Sequence, residues 1–171
     1  MCKIMDNQSI DMMRRFVSKI TDGNVIPMPL DVLDVGSMDV NGCYRDLFPE
    51  PTFKYKGLDI VAGKNVDIVT TDPYHYPIED NSYDIVVSGQ CLEHVEDIYA
   101  VADEMIRVLK PNGLMGVIVP NTWEEHKFPI DCWRFFPDGL RWLFVKRTGK
   151  MEEMVITNER NLCIAVLVKK I

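Results

Sequence analysis

At 171 residues, with 47% hydrophobic and 26% charged side chains, the chain has the size and composition of one globular domain that needs no metal or disulfide to hold a core. A formal net charge of −7 opposes a sequence-independent grip on DNA or RNA, which requires clustered Lys and Arg, so no nucleic-acid partner is expected. Five scattered cysteines (Cys2, Cys43, Cys91, Cys132 and Cys163) form no Cys-x-x-Cys pair and exclude a disulfide framework. The apolar runs at 114–119 and 162–168 are far too short to span a bilayer, and no apolar leader follows Met1. A cytoplasmic protein without a membrane partner is expected.

In chain order, Asp6 to Ile20 reads as a helix, with Ile10, Met13, Val17 and Ile20 on one stripe. Thr21-Asp-Gly23 stops it, and 25–30 is an extended, proline-bearing connector. Strands are predicted at Val32–Val35, Tyr55–Ile60, Asn65–Val69 and Tyr83–Ser88, with a weak helix or turn at 41–48. The best helix lies between Glu93 and Lys110, and Pro111-Asn-Gly113 ends it. Leu114–Val119 is a fifth strand, followed by a long loop, 121–136, rich in Trp, His, Phe and Pro. Pro137 to Val145 suits a helix with proline in its first turn. Met154–Thr157 and Leu162–Val168 then close the chain as an antiparallel hairpin. One domain over 1–171 follows: a helix and connector at 1–30, then an α/β core at 31–171. Strands alternating with helices argue a mostly parallel sheet with right-handed crossovers and helices on both faces.

Asp31-Val-Leu-Asp-Val-Gly-Ser-Met-Asp39 is the stretch around which this pattern is organised. Val32, Leu33 and Val35 suit a strand buried on both sides. Asp34 inside it is costly unless a positive or hydrogen-bonding group meets it. Gly36 then permits a sharp turn or close approach of a ligand. Polar groups at the carboxyl end of such a strand stand where open α/β sheets bind ligands.

Asn81-Ser-Tyr-Asp-Ile-Val-Val-Ser-Gly-Gln-Cys-Leu-Glu-His-Val95 and Glu104-Met-Ile-Arg-Val-Leu-Lys-Pro-Asn-Gly113 carry a resemblance. The chain resembles the class I S-adenosylmethionine-dependent methyltransferases of the type 11 kind, from about Val32 to the hairpin. That family implies a Rossmann-like fold with a mostly parallel seven-stranded sheet and a C-terminal antiparallel hairpin. It also implies S-adenosyl-L-methionine as cofactor and S-adenosyl-L-homocysteine as product. By this resemblance Asp34, Gly36 and Ser37 meet the methionine moiety. Asp59 accepts the ribose hydroxyls beside Ile60, and Asp72 accepts from the adenine amino group. Pro73 and Tyr74 wall the ring, and Ser88, Gly89 and Gln90 line the sulfonium side. The family's Gly-x-Gly-x-Gly is reduced here to Gly36, with Met38 and Asp39 where small residues are usual. Read without the family, Asp59 could simply cap a turn, and Asp72-Pro73 is an ordinary turn starter.

Methyl transfer to oxygen needs positioning and often a general base. His94 and His126 are the catalytic candidates; His75 reads as a surface residue. Asp131, Trp133 and Arg134 are candidate substrate-binding residues on an acceptor lid, or alternatively parts of a packed loop. Asp131-Cys-Trp-Arg-Phe-Phe-Pro-Asp138 is similar to a segment of methyltransferases of glycan pathways, which implies a small-molecule acceptor such as a sugar or glycan precursor. Gln90-Cys-Leu-Glu-His94 with His126 also resembles the metal-binding set of RNA 2′-O-methyltransferases. Gln90 replaces its first carboxylate, so no metal is expected. A non-catalytic cofactor-binding subunit is the alternative. A nicotinamide oxidoreductase is disfavoured by the lack of Gly-x-Gly-x-x-Gly. The closing hairpin could serve a homodimer.

Overall fold

The computed structural model describes residues 7–21, 29–159 and 163–171. Helix α1 (Asn7–Thr21) buries Met12, Met13, Phe16 and Ile20 on one side. Asp6, where this helix was expected to start, the stop at Asp22-Gly23 and most of the connector lie outside the described residues.

The strands are β1 (Leu30–Val35), β2 (Phe53–Asp59), β3 (Ile68–Val69), β4 (Tyr83–Gly89), β5 (Leu109–Pro120), β6 (Met151–Glu159) and β7 (Cys163–Lys170). They form a seven-stranded sheet in the order β3-β2-β1-β4-β5-β7-β6. The first five run parallel, and β7 is antiparallel to both β5 and β6. This is the expected class I arrangement. Helix α2 (Ile98–Val108) crosses from β4 to β5, and α3 (Pro137–Leu140) continues as a wider π turn over Arg141–Lys146.

Alternation along the strands divides the core between the two faces of the sheet. Leu33, Val35 and Val86 pack with Met105 of α2 and Phe144. Val32, Ile85 and Val87 pack with Met13 and Phe16 of α1, and with Tyr44 and Tyr55. The register pairs Val32 with Ile85 and Asp34 with Val87, which puts Asp34 on the α1 face.

Three boundaries differ from the sequence reading. The helix expected from Glu93 starts at Ile98, because Leu92–His94 forms a separate 3₁₀ turn and the Asp97 carboxylate caps α2. It accepts from the Tyr99 and Ala100 amides, each at 3.0 Å. The third strand is only Ile68–Val69. Strand β5 begins at Leu109: Tyr83 pairs with Leu109 and Ile85 with Leu114, so Lys110–Gly113 bulges from the ladder instead of lying outside it. Lys170 closes the far end of α2, its ammonium donating to the Ile106 and Leu109 carbonyls at 2.8 and 2.6 Å. Residues 160–162 of the hairpin lie outside the described residues.

Among the described residues no helix is long and apolar enough to cross a membrane. Asp97→Ala removes both cap bonds of α2 and should lower unfolding stability by about 1 kcal/mol in urea titrations.

Candidate cofactor cavity and active site

β1 and β4 are neighbours in the sheet, while the chain leaves β1 toward β2 and leaves β4 toward α2 and β5. A crevice is expected at such a reversal of strand order, at the carboxyl ends. A cavity of ≈ 470 Å³ lies there. Val35, Gly36 and Met38 line it from β1, and Leu58, Asp59 and Ile60 from β2. Thr70, Pro73, Tyr74 and Tyr76 line it after β3; Gly89, Gln90 and Cys91 after β4. His94 and Val95 join them, and the loop after β5 adds Phe128, Pro129 and Ile130.

The turn after β1 needs glycine twice over. Gly36 has φ +75°, and a Cβ there would run into the Cys91 side chain. Gln90 also adopts a left-handed φ, +55°. The Asp59 carboxylate is oriented by the backbone: it accepts from Met38 N at 3.0 Å, Ile60 N at 2.8 Å and Val61 N at 3.3 Å. A carboxylate offers about four lone-pair sites, so capacity for a ligand hydroxyl remains. The altered glycine motif does not close the cavity. Asp39 is outside its lining, paired with Lys64 at 2.5 Å and accepting from Gly42 N at 2.8 Å.

Four of the residues assigned to the cofactor by resemblance do not line this cavity. Asp34 is 3% exposed and points to the α1 face, where the Tyr55 hydroxyl donates to it. Asn65 donates in turn to Tyr55 at 3.1 Å. Burial pushes the Asp34 carboxyl up to about 7, against the opposing Tyr55 hydrogen bond. The partner that its strand position demanded is therefore a phenol, and strand alternation turns it from the ligand side. Ser37 is buried, its hydroxyl donating to the Asn65 carbonyl at 3.2 Å. Ser88 is a strand tie, donating to the Val35 carbonyl at 2.8 Å. Asp72 is exposed and accepts from Tyr74 N at 2.8 Å, the turn that Asp-Pro suggests. Gly36, Asp59, Ile60, Pro73, Tyr74, Gly89 and Gln90 do converge on the cavity. Met38 of the altered glycine motif and Phe128–Ile130 of the expected acceptor loop join them, as does Thr70, which carried no prior sequence signal.

The loop 121–136 is held by Arg134. Its guanidinium forks onto Asp131 at 2.5 and 2.7 Å and donates to the carbonyls of Trp123, Glu124 and Trp133 at 2.9, 2.8 and 2.7 Å. This pair, with the His126 amide donating at 2.7 Å, holds the Asp131 carboxyl down at about 2. Trp133 donates its indole N–H to the Val95 carbonyl at 2.7 Å. All three thus shape the loop, and none lines the cavity. Their work places His126 beside His94, ring centroids 5.0 Å apart and nearly perpendicular. Burial holds the His94 imidazole below its ordinary range. Glu93 is 0% exposed beneath both rings, and burial pushes its carboxyl up to about 8. The helix expected to open at Glu93 starts later, and the 3₁₀ turn there directs Glu93 inward. His75 is exposed, as expected.

The family described as "Methyltransferase domain" matches residues 46–117. The structure superposes on a SAM-dependent methyltransferase from Aquifex aeolicus with a TM-score of 0.65 at 17% identity, covering 98% of this chain and 100% of that one. The chain therefore has the fold of the class I methyltransferases. The 1,6-didemethyltoxoflavin-N1-methyltransferase of Burkholderia thailandensis, whose structure contains S-adenosylhomocysteine, has a TM-score of 0.74 at 14% identity, covering 96% of this chain and 79% of that one. Demethylmenaquinone methyltransferase of Lactobacillus johnsonii is 40% identical over 74 residues, 39% of this chain. The matched part spans 30% of that relative. None of these relatives is named for a sugar or glycan, so the expected acceptor class finds no support among them.

Asp34 supplies a pH signature of the domain. Its folded pKa stands above the unfolded one, so its protonated form stabilises the fold; that contribution is complete below 3.8 and is lost as pH rises through about 7. Asp59 raises and Arg45 lowers this value from nearby. Asp34→Asn keeps an acceptor for Tyr55 and removes the ionisation. Its unfolding free energy from urea titration should vary less than that of wild type across this window and exceed it above the window, by a few kcal/mol at most at about 1.4 kcal/mol per pKa unit.

Proposed function

We propose that the chain transfers a methyl group from S-adenosyl-L-methionine to a small-molecule acceptor. The observation that carries this reading is Asp59. Its carboxylate ends β2, is fixed by three backbone amides and borders a cavity at the point where strand order reverses. A carboxylate so placed suits a pair of ribose hydroxyls. Gly36, Gly89 and Gln90 let the backbone approach the methionine end, and Pro73 and Tyr74 offer apolar surface to the adenine. The resemblance of the β4 and α2 segments, the matched domain and the fold of the neighbours support the same cofactor.

In this reading the acceptor enters between Phe128–Ile130 and His94. The reaction is an in-line displacement at the methyl carbon: the acceptor's lone pair forms the new bond while the carbon–sulfur bond breaks, leaving S-adenosyl-L-homocysteine. The chain's contribution is chiefly to hold the two reactants aligned. His94 and His126 are the residues proposed to activate the acceptor. Asp131, Trp133 and Arg134 position them by holding the loop.

Calorimetry with S-adenosylhomocysteine tests the cofactor. Wild type should bind it, and Asp59→Ala, which loses a charge-assisted acceptor, should bind at least about tenfold more weakly. A folded wild-type protein that does not bind it would refute the reading. Mass spectrometry across phenolic, enolic and heteroaromatic acceptors, with S-adenosylmethionine present, then identifies the acceptor class.

A further inference from the structure

Among the described residues, Glu93, His94 and His126 bring one carboxylate oxygen and two imidazole nitrogens within 4.8 Å of one another. Each of these atoms can serve as a ligand to a cation. Glu93 is wholly buried, and neither of its oxygens receives a hydrogen bond from another residue. His94 Nδ1 lies 2.6 Å from the Ile130 carbonyl, which can only accept. Nδ1 therefore carries the proton, and Nε2 presents a lone pair. His126 Nδ1 lies 3.0 Å from the Glu124 carbonyl and 3.4 Å from Arg134 Nη2, so its Nε2 is the nitrogen that faces Glu93. The two Nε2 atoms stand 3.7 and 3.9 Å from the same oxygen, Glu93 Oε1. These separations are too long for hydrogen bonds.

The obvious counter-ion is already engaged. Arg134 has five N–H groups. They go to Asp131 twice and to the carbonyls of Trp123, Glu124 and Trp133, leaving none for Glu93. A buried carboxyl group with no hydrogen-bond partner beside two imidazole nitrogens is a costly arrangement unless a ligand meets it there.

We propose that Glu93, His94 and His126 form a binding site for a divalent transition-metal cation at the acceptor end of the cavity. Two imidazoles and one carboxylate select a borderline ion of the Zn²⁺, Fe²⁺ or Co²⁺ class over Mg²⁺ or Ca²⁺, which take mainly oxygen. Ligands about 2.1 Å from a shared ion lie up to about 4.2 Å apart, so the 3.7 and 3.9 Å separations match a common ion. The Nδ1 bonds to Ile130 and Glu124 are the outer contacts that orient metal-bound histidines. The expectation of no metal rested on Gln90 replacing a carboxylate; three donors converge without it. Three protein ligands leave a position open. Because His94 also lines the cavity, that position serves an oxygen donor of the acceptor, and this last assignment rests on the methyltransferase reading.

The test is uptake of Zn²⁺ and Co²⁺ by the purified, metal-stripped chain. It uses calorimetry and the visible absorption of bound Co²⁺, on wild type, Glu93→Gln, His126→Gln and Cys132→Ser. Cys132 is an exposed thiol beside the site, its amide donating to the Glu93 carbonyl, and controls for adventitious thiolate binding. One equivalent should bind to wild type and to Cys132→Ser, and at least about 100-fold more weakly to both Glu93→Gln and His126→Gln. His126 lies on the loop, so its variant remains informative if Glu93→Gln does not fold. Absence of uptake by wild type, undiminished uptake by His126→Gln, or loss of uptake in Cys132→Ser would overturn the proposal. S-adenosylhomocysteine titration of the same samples separates the two readings: metal uptake without nucleoside binding removes the methyltransferase reading and leaves the site.

Discussion

The cavity exists because β1 and β4 lie side by side while the chain leaves them in opposite directions. The connections diverge at that point, so backbone amides and carbonyls at the carboxyl ends must be satisfied by turns, side chains or ligand. The close packing of those turns decides which residues are tolerated. Gly36 must adopt a positive φ beside Cys91, and a side chain at Gly89 would enter the ring of Tyr44. Asp59 serves the same requirement from β2, since its carboxylate accepts the amides of the turn after β1 and of its own. The groups that build the crevice are therefore those that shape its ligand-facing wall.

Buried charge is handled in two different ways. On the α1 face, Asp34 is covered by a hydrogen-bonded chain through Tyr55 and Asn65, and Arg45 joins it by bonding Asn65 at 2.6 Å and Asp67 at 2.5 Å. Each polar atom in that chain has a partner, so its burial is compatible with a stable core. Under the loop 121–136 the reverse holds. Neither side-chain oxygen of Glu93 has a hydrogen-bond partner. Arg134, which could have neutralised it, holds the loop instead. A network completed within the chain fixes a core; one left incomplete calls for a group from outside.

The loop shows how a segment without regular structure becomes rigid. Arg134 and Asp131 form its inner tie, and the Trp133 indole fastens it to Val95 at the edge of the cavity. The Cys132 amide donates to the Glu93 carbonyl at 2.7 Å, linking the loop directly to the 3₁₀ turn. Polar residues that look made for an acceptor are used to position two histidines.

Much of the architecture was legible in the residues. The β-branched runs, the apolar stripe of α2 and the closing hairpin determine a mostly parallel sheet with an antiparallel end, because the side-chain period and flanking turns of each segment admit little else. The positions of Asp59 at a strand end and of Gly36 at the turn after β1 were legible too, because the flanking apolar runs bound each strand. Tertiary structure alone decided the facing of Asp34, since a shift of one residue in a strand reverses its side. It alone decided that Asp131 and Arg134 bond each other. It also brought Glu93 and His94 to His126, more than thirty positions away. Local pattern specifies the elements; which buried polar groups meet depends on contacts between segments that nothing local encodes.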